Sequence, residues 1–90
     1  VIRYLNLPFA TGVIVVEVEK GSSGYKAGID IEDIILALNG VQISSAQDIK
    51  NIILDQDIRP GDKITLKIYR DGETKLIKLK LEKVNNSYFY

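Results

Sequence analysis

The side chains with the clearest capacity for chemistry are carboxylates. Asp30, Glu32 and Asp33 form a cluster whose oxygens could hold a hard cation, but their spacing is not that of a calcium-binding loop. A solvated bend explains the cluster better. The chain has no His and no Cys, which excludes a Ser-His-Asp triad, a Cys-His pair and the usual zinc sites within it. We therefore expect no metal, no cofactor and no catalytic residue in this chain.

The serine hydroxyls occur in two pairs, Ser22-Ser23 and Ser44-Ser45, and each pair precedes a short apolar segment. A serine nucleophile needs a neighbouring base, and no His is present to supply one. Serine is also one of the residues that cap helix N-termini. The sequence therefore predicts helix caps and turns at these positions.

The length and charge of the chain indicate a small globular domain that does not have nucleic acid as its main partner. Ninety residues, 46% of them hydrophobic, make one small globular domain. Twelve basic and twelve acidic residues give zero net charge, which argues against nucleic acid as the main partner. Residues 63–83 are nevertheless rich in Lys and Arg, whereas residues 28–57 are rich in Asp and Glu. The simpler interpretation is a solvated hairpin beside an acidic helix, and the alternative is a basic surface that steers an acidic partner or membrane headgroups.

The first third of the chain predicts a helix end, a strand and a short helix. Residues 1–7 have apolar residues at spacings that favour a last helical turn, which Pro8 ends. Residues 12–19 are β-branched at both strand faces until Glu17, so this strand should be central in its sheet. A short helix then runs through Ala27, and Gly28 closes it.

The remainder predicts four strands and one longer helix, and the second of these strands is the short segment 41–43 after Asn39-Gly40. Residues 34–38 form a strand with Ile34, Leu36 and Leu38 on one face, and Asn39-Gly40 is a hairpin signal. Residues 45–55 form an amphipathic helix. Residues 64–69 and 77–81 pair across Asp71-Gly72, and Leu76 is out of step with the alternation, which indicates a bulge or a lapse in the pattern near the turn. We predict a mainly β fold with two helices, a partly open antiparallel sandwich or barrel of about five strands. Its domain spans residues 1–84, and residues 85–90 are a flexible tail.

The assembled pattern resembles a PDZ domain of the permuted class found in HtrA/Deg-type serine proteases. Residues 5–8 and 11–15, LNLP and TGVIV, resemble that class's LGLP-then-GVLV passage. Residues 33–40, DIILALNG, match its D-V-I-x-x-(I/V)-N-G motif, and Ala27-Gly28-Ile29 match its A-G-L. Residues 59–62 and 69–72, RPGD and YRDG, match its turns. A departure is Ile31-Glu32 before Asp33, where Pro-Gly is usual.

The resemblance implies binding of peptides or of unfolded-protein C-termini by β-augmentation, on behalf of the protease domain of the same parent chain. This chain would not itself be an enzyme. An alternative is a structural or assembly domain of an intramembrane protease or secretion component, without peptide affinity. The resemblance also implies the extracytoplasmic side of a prokaryotic cell. The aromatic residues Tyr88, Phe89 and Tyr90 could occupy a neighbour's groove and so drive self-association.

The resemblance places the groove along the helix at residues 45–55. Ala46, Ile49 and Ile53 would line the pocket for the terminal apolar side chain, with Lys50 at its rim, although these isoleucines could instead be core. The carboxylate-binding loop and its strand would lie upstream of Val1. The alternative is that Tyr4 and Leu5 form that loop, although Asn6 replaces its glycine.

Overall fold

The molecule is built on one antiparallel sheet. A computed structural model describes residues 2–6, 12–84 and 87–89, with the side chains of residues 12–82. The sheet contains strands in the order β1, β2, β3, β5 and β6, and β4 pairs with β3. The strand bounds are β1 Ile2–Asn6, β2 Val13–Val18, β3 Ile34–Leu38, β4 Val41–Gln42, β5 Lys63–Arg70 and β6 Glu73–Lys80.

Two helices cover one face of this sheet and enclose the core. They are α1 Ser23–Ala27 and α2 Ala46–Asp55. Alternate residues of β5 point into the core, namely Ile64, Leu66 and Ile68. They pack with the isoleucines of α2 in one cluster of buried side chains. The predicted fold class is therefore confirmed, and neither described helix is long and apolar enough to cross a membrane.

Local signals in the sequence set the helix ends. The Ser22 hydroxyl accepts a hydrogen bond from the Tyr25 backbone N–H and caps α1. Gly28 ends α1 with φ 96°, a left-handed conformation that glycine adopts without a Cβ penalty. The Ser45 hydroxyl caps α2 through the Asp48 N–H. Both predicted helices are confirmed.

Bulges change which strand residues face the core. In β3 the register with β5 passes from Ile35 to Ala37, so Leu36 has no partner. As a result Ile35 and Leu38 are buried, whereas Leu36 is half-buried. The prediction that Ile34, Leu36 and Leu38 share one face is wrong for this reason. Of the two alternatives at Leu76, the lapse is correct, because β5 and β6 pair in continuous register and Leu76 lies on the outward face.

The N-terminal segment is a strand, which corrects the prediction of a helical turn over residues 1–7. Residues 2–6 form β1 and pair antiparallel with β2, and residues 1 and 7 lie outside the described residues. A pattern of seven residues is too short to separate a helix from a strand. The free edge of β2 decides the outcome, because a strand there satisfies backbone groups that would otherwise have no partner. β2 is then central, as predicted.

The C-terminal segment also contains a strand. Glu82–Val84 forms β7 and Ser87–Phe89 forms β8, and the two pair antiparallel as a separate two-stranded sheet. The flexibility expected of residues 85–90 stays a prediction, although Ser87–Phe89 is a strand. The physical reason for this strand is the aromatic content of β8, because aromatic residues favour strands once a partner strand is present. Residues 85, 86 and 90 lie outside the described residues.

Candidate functional site

The edge of the main sheet formed by β1 is the feature that an extended ligand could use. Among the described strands, β1 pairs only with β2, so its outer edge is left for another strand. Helix α2 lies against β1. An edge strand beside a helix can add a further strand by main-chain hydrogen bonding while the helix contacts its side chains. We call this place the β1–α2 edge.

Helix α2 is held at the β1–α2 edge by its apolar face. Ile49, Ile52 and Ile53 are all buried, with 3%, 7% and 5% of their surface exposed. Their i, i+3 and i+4 spacing directs them to the same side of the helix. All three isoleucines therefore belong to the core in this structure. The assignment of Ile49 and Ile53 to a ligand pocket stays a prediction.

The start of α2 is fixed by polar contacts. Asp48 accepts hydrogen bonds from the backbone N–H and the hydroxyl of Ser44, at 2.8 and 3.0 Å. These bonds lower the pKa of the Asp48 carboxyl, the backbone bond most strongly, because they favour its charged form. The sequence predicts a helix cap at Ser44-Ser45, and in the structure Ser45 caps the helix while Ser44 holds Asp48. The helix N-terminus thus has a defined position beside the sheet.

The remaining predicted site residues lie on the same two elements. On α2, Ala46 is half-buried and Lys50, one turn later, is exposed. Tyr4 and Leu5 lie within β1, where they pair with Val15 and Ile14. These two residues are part of a strand and do not form a loop. The fold therefore brings the backbone of Tyr4 and Leu5 to the same edge as α2, and their ligand contacts stay a prediction.

A buried ion pair was not anticipated from the sequence. Asp33 has 1% of its surface exposed, and its two carboxylate oxygens accept bonds from Arg70 Nε and Nη2 at 2.7 and 2.6 Å. The same guanidinium donates to the Gly28 carbonyl, also at 2.7 Å. The bond to Asp33 raises the pKa of Arg70. The pairing of β3 with β5 brings the two side chains together. Ile34 lies opposite Tyr69, so Asp33, which precedes Ile34, lies close to Arg70, which follows Tyr69.

The carboxylate cluster is therefore a structural bend. Asp33 also accepts a bond from the Asp30 backbone N–H at 2.8 Å, which ties the bend. The bend is predicted to be solvated, but its Asp33 is buried because it pairs with Arg70. Of the three candidate carboxylates, Asp33 is paired with Arg70. Glu32 has a left-handed backbone conformation, with φ 74°. Within the described residues there is no group of His, Cys, Asp or Glu that could hold a metal ion.

Glu82 links the end of the main sheet to α1. Its carboxylate accepts a hydrogen bond from the Ser23 backbone N–H at the first turn of the helix. Hydrogen bonding from Ser23 lowers the pKa of Glu82, because those bonds favour the charged carboxylate. The negative charge also lies at the positive end of the helix dipole. Sequence reasoning missed this contact because the two residues are 59 positions apart.

The relatives of this chain include bacterial serine proteases. The chain is 42% identical over 76 residues to the serine protease Do-like HtrB of Bacillus subtilis, covering 84% of this chain and 16% of that protein. It is 41% identical over 63 residues to a probable periplasmic serine endoprotease, DegP-like, of Chlamydia trachomatis, covering 70% of this chain and 12% of that protein. The chain thus spans about one sixth or less of the length of these relatives.

Two solved structures share the fold. An aminopeptidase N family protein from Idiomarina loihiensis matches with a TM-score of 0.79 and 28% identity, over 97% of this chain and 14% of the other. The HtrA3 PDZ domain bound to a phage-derived ligand, FGRWV, matches with a TM-score of 0.66 and 24% identity, over 78% of this chain and 62% of the other. The second likeness is evidence for the fold alone.

The family itself is given by a profile that covers most of the chain. The profile of the PDZ domain matches residues 3–81, which include both helices and all of the main sheet except Ile2, the first residue of β1. The antiparallel sheet, the short helix closed by Gly28 and the longer helix beside the edge strand are the parts that this profile spans. The chain belongs to the PDZ domain family.

Proposed function

We propose that this chain binds extended peptide segments by adding them as a strand at the β1–α2 edge. The observation that carries the proposal is that β1 pairs only with β2 among the described strands and lies against α2. Main-chain hydrogen bonds to β1 would give affinity that depends little on sequence. Alternate side chains of the peptide would point toward α2, which would give selectivity.

Residues of α2 would contact the C-terminal end of the peptide. Ala46 and Lys50 lie one turn apart on the helix and are not buried in the core. A small side chain at Ala46 leaves room for an apolar residue of the ligand. The ammonium group of Lys50 would attract a terminal carboxylate, with a strength limited by its exposure. Ile49 and Ile53 would contribute their apolar surface only if the edge opens on binding.

The parent protein would be an HtrA-like serine protease in which this chain recognises substrates or regulates the protease domain. Identity of 42% and 41% to two such proteases supports this role. The description of one of them as periplasmic supports an extracytoplasmic location. Substrates would be unfolded proteins or peptides with accessible C-termini.

The test is a titration with matched peptides. A peptide with an apolar C-terminal residue is prepared with a free carboxylate and as the amide, and binding is measured by calorimetry and by amide shifts in NMR spectra. We expect the free carboxylate to bind more tightly by about tenfold, which corresponds to about 1.4 kcal/mol. The shifts should fall on residues of β1 and α2.

Charge reversal supplies the matched control. Lys50→Glu should weaken binding of the free-carboxylate peptide by about tenfold, because it places a like charge near the terminus. Lys20→Glu makes the same change in an exposed turn after β2 and should leave the affinity unchanged. Two results would overturn the proposal in favour of an assembly role. The first is an affinity that changes neither with amidation of the peptide nor with Lys50→Glu. The second is a set of amide shifts that lies outside β1 and α2.

A further inference from the structure

The face of the sheet that points away from the helices carries an apolar cleft. Its volume is about 420 Å³, and its lining includes Leu36, Ala37, Gln42, Thr65, Lys67 and Leu76. Leu76 is 70% exposed, which is unusual for a leucine in the middle of a strand. We call this place the outer cleft. It lies on the opposite side of the sheet from the buried face of α2, so it is separate from the β1–α2 edge.

The bulge in β3 creates the outer cleft. Leu36 has no partner in β5, and its half-buried side chain lies beside the short strand β4. On the neighbouring strands, Lys67 lies directly opposite Leu76, and Thr65 lies opposite Lys78. Directly opposite residues in an antiparallel pair lie side by side on one face. The cleft therefore has two leucines along its walls and lysines at its side.

The charge around the outer cleft has one sign. Four exposed lysines occupy the outward positions of β5 and β6: Lys63, Lys67, Lys78 and Lys80. The outward positions of these two strands contain no Asp or Glu, and neither does any position of β3. The chain as a whole has no net charge, so this basic face is a local feature. An apolar cleft beside a basic strand face is complementary to a partner that is both apolar and acidic.

We propose that the outer cleft docks an acidic protein segment that carries a large apolar side chain between carboxylates. The apolar side chain would lie between Leu36 and Leu76. Carboxylates on either side of it would face Lys67 and Lys78. The concave shape favours a protein segment over a membrane surface, because lipid binding by apolar residues requires side chains that project outward into the bilayer.

The probe is a short peptide of Asp, Glu, Leu and Phe that is acetylated and amidated, so that it has no terminal carboxylate for the β1–α2 edge. The full 90-residue chain is labelled with nitrogen-15, and its amide shifts are followed during titration. We expect shifts at residues of β3, β5 and β6, including Leu36, Thr65 and Leu76. Affinity should fall as salt is raised, because the interacting charges are exposed. A peptide with Lys in place of every acidic residue should not bind.

Two charge-reversed variants separate this site from general electrostatics. The double variant Lys67→Glu with Lys78→Glu should weaken binding of the acidic peptide by about tenfold or more. The double variant Lys20→Glu with Arg59→Glu changes the net charge equally, at exposed residues away from this face, and should change the affinity by less than about twofold. Leu76→Asp should also weaken binding, and its exposure means that folding is retained.

Three results would overturn the proposal. The first is equal weakening by both double variants, which would mean that only net charge matters. The second is a set of shifts confined to β1 and α2, which would assign the peptide to the other site. The third is the absence of peptide binding together with binding to vesicles of anionic phospholipid, which would make the basic face a membrane surface. None of these results affects the titration of free-carboxylate peptides, so the two proposals fail or stand separately.

Discussion

Replacement of Arg70 by leucine should destabilise the domain strongly, because it leaves a buried carboxylate without its partner. Asp33 is 1% exposed and receives two bonds from the guanidinium, at 2.7 and 2.6 Å. Removal of one member of a buried ion pair costs 3–5 kcal/mol in typical proteins. The Arg70 side chain is 26% exposed, so solvent partly screens the pair. We therefore expect a loss of about 3 kcal/mol in the free energy of unfolding.

The assay is urea unfolding followed by far-ultraviolet circular dichroism, since the chain has no Trp to report by fluorescence. The same loss should lower the midpoint of thermal unfolding by roughly 15 °C in a domain of this size. A second variant distinguishes the cost of the unpaired charge from the cost of lost packing. Asp33→Asn in the Arg70→Leu background replaces the charge by a neutral amide that can still accept the Asp30 N–H bond. The double variant should be more stable than Arg70→Leu alone by about 1 kcal/mol.

Arg59→Leu is the matched control. Arg59 pairs with Asp57 at 3.2 Å, but the two side chains are 74% and 77% exposed. Loss of such a surface pair should change the free energy of unfolding by less than about 0.5 kcal/mol. If Arg70→Leu costs no more than Arg59→Leu, or if Asp33→Asn destabilises the Arg70→Leu variant further, the reasoning from burial is refuted.

Three further predictions concern backbone, pH and assembly. Gly28→Ala should lower the free energy of unfolding, measured in urea, by about 1 kcal/mol, because its φ of 96° disfavours a Cβ although the space around it is empty. Gly12→Ala should lower it by about 1–3 kcal/mol, because the added Cβ would lie 2.7 Å from a side-chain carbon of Ile34. The lowered pKa of Glu82 means that its stabilising effect is present above the ordinary value of 4.5 and is lost as pH falls through the folded-state pKa. Glu82→Gln should therefore flatten the dependence of stability on pH below 4.5, and an unchanged slope in urea unfolding would contradict this. Removal of residues 85–90 should reduce self-association in sedimentation velocity if the aromatic end occupies a neighbour's groove, and an unchanged distribution of species would disprove that contact.

Most of the fold follows from local features of the sequence. The Asn39-Gly40 pair has φ values of 49° and 82°, as a two-residue hairpin turn between β3 and β4 requires. Gly28 ends α1 and Ser45 begins α2 because each supplies what a helix end needs from a single residue. The alternation in β5 assigns its core residues without reference to any other strand. Each of these features depends on residues within a few positions in the chain.

The errors of prediction occur where a distant partner decides. Residues 2–6 have a pattern that suits a short helix, yet β2 offers an edge that only a strand can pair with. In β3 the alternation of apolar residues is misleading, because the bulge at Leu36 moves Leu38 and Ile35 to the same face. The sequence of β3 alone contains no sign of that bulge. Its position is set by the register with β5, which is a property of the assembled sheet.

The candidate sites divide in the same way. The sequence by itself determined that this chain contains no His or Cys, and that a helix with a buried apolar face follows Ser45. Only the tertiary structure decided that Asp33 is paired with Arg70, that β1 leaves an edge beside α2, and that Leu36 and Leu76 line one cleft with Lys67. The physical reason is range. Caps, turns and amphipathic faces arise from contacts within one or two helical turns, whereas ion pairs and clefts depend on strands that are distant in the chain and adjacent in the sheet.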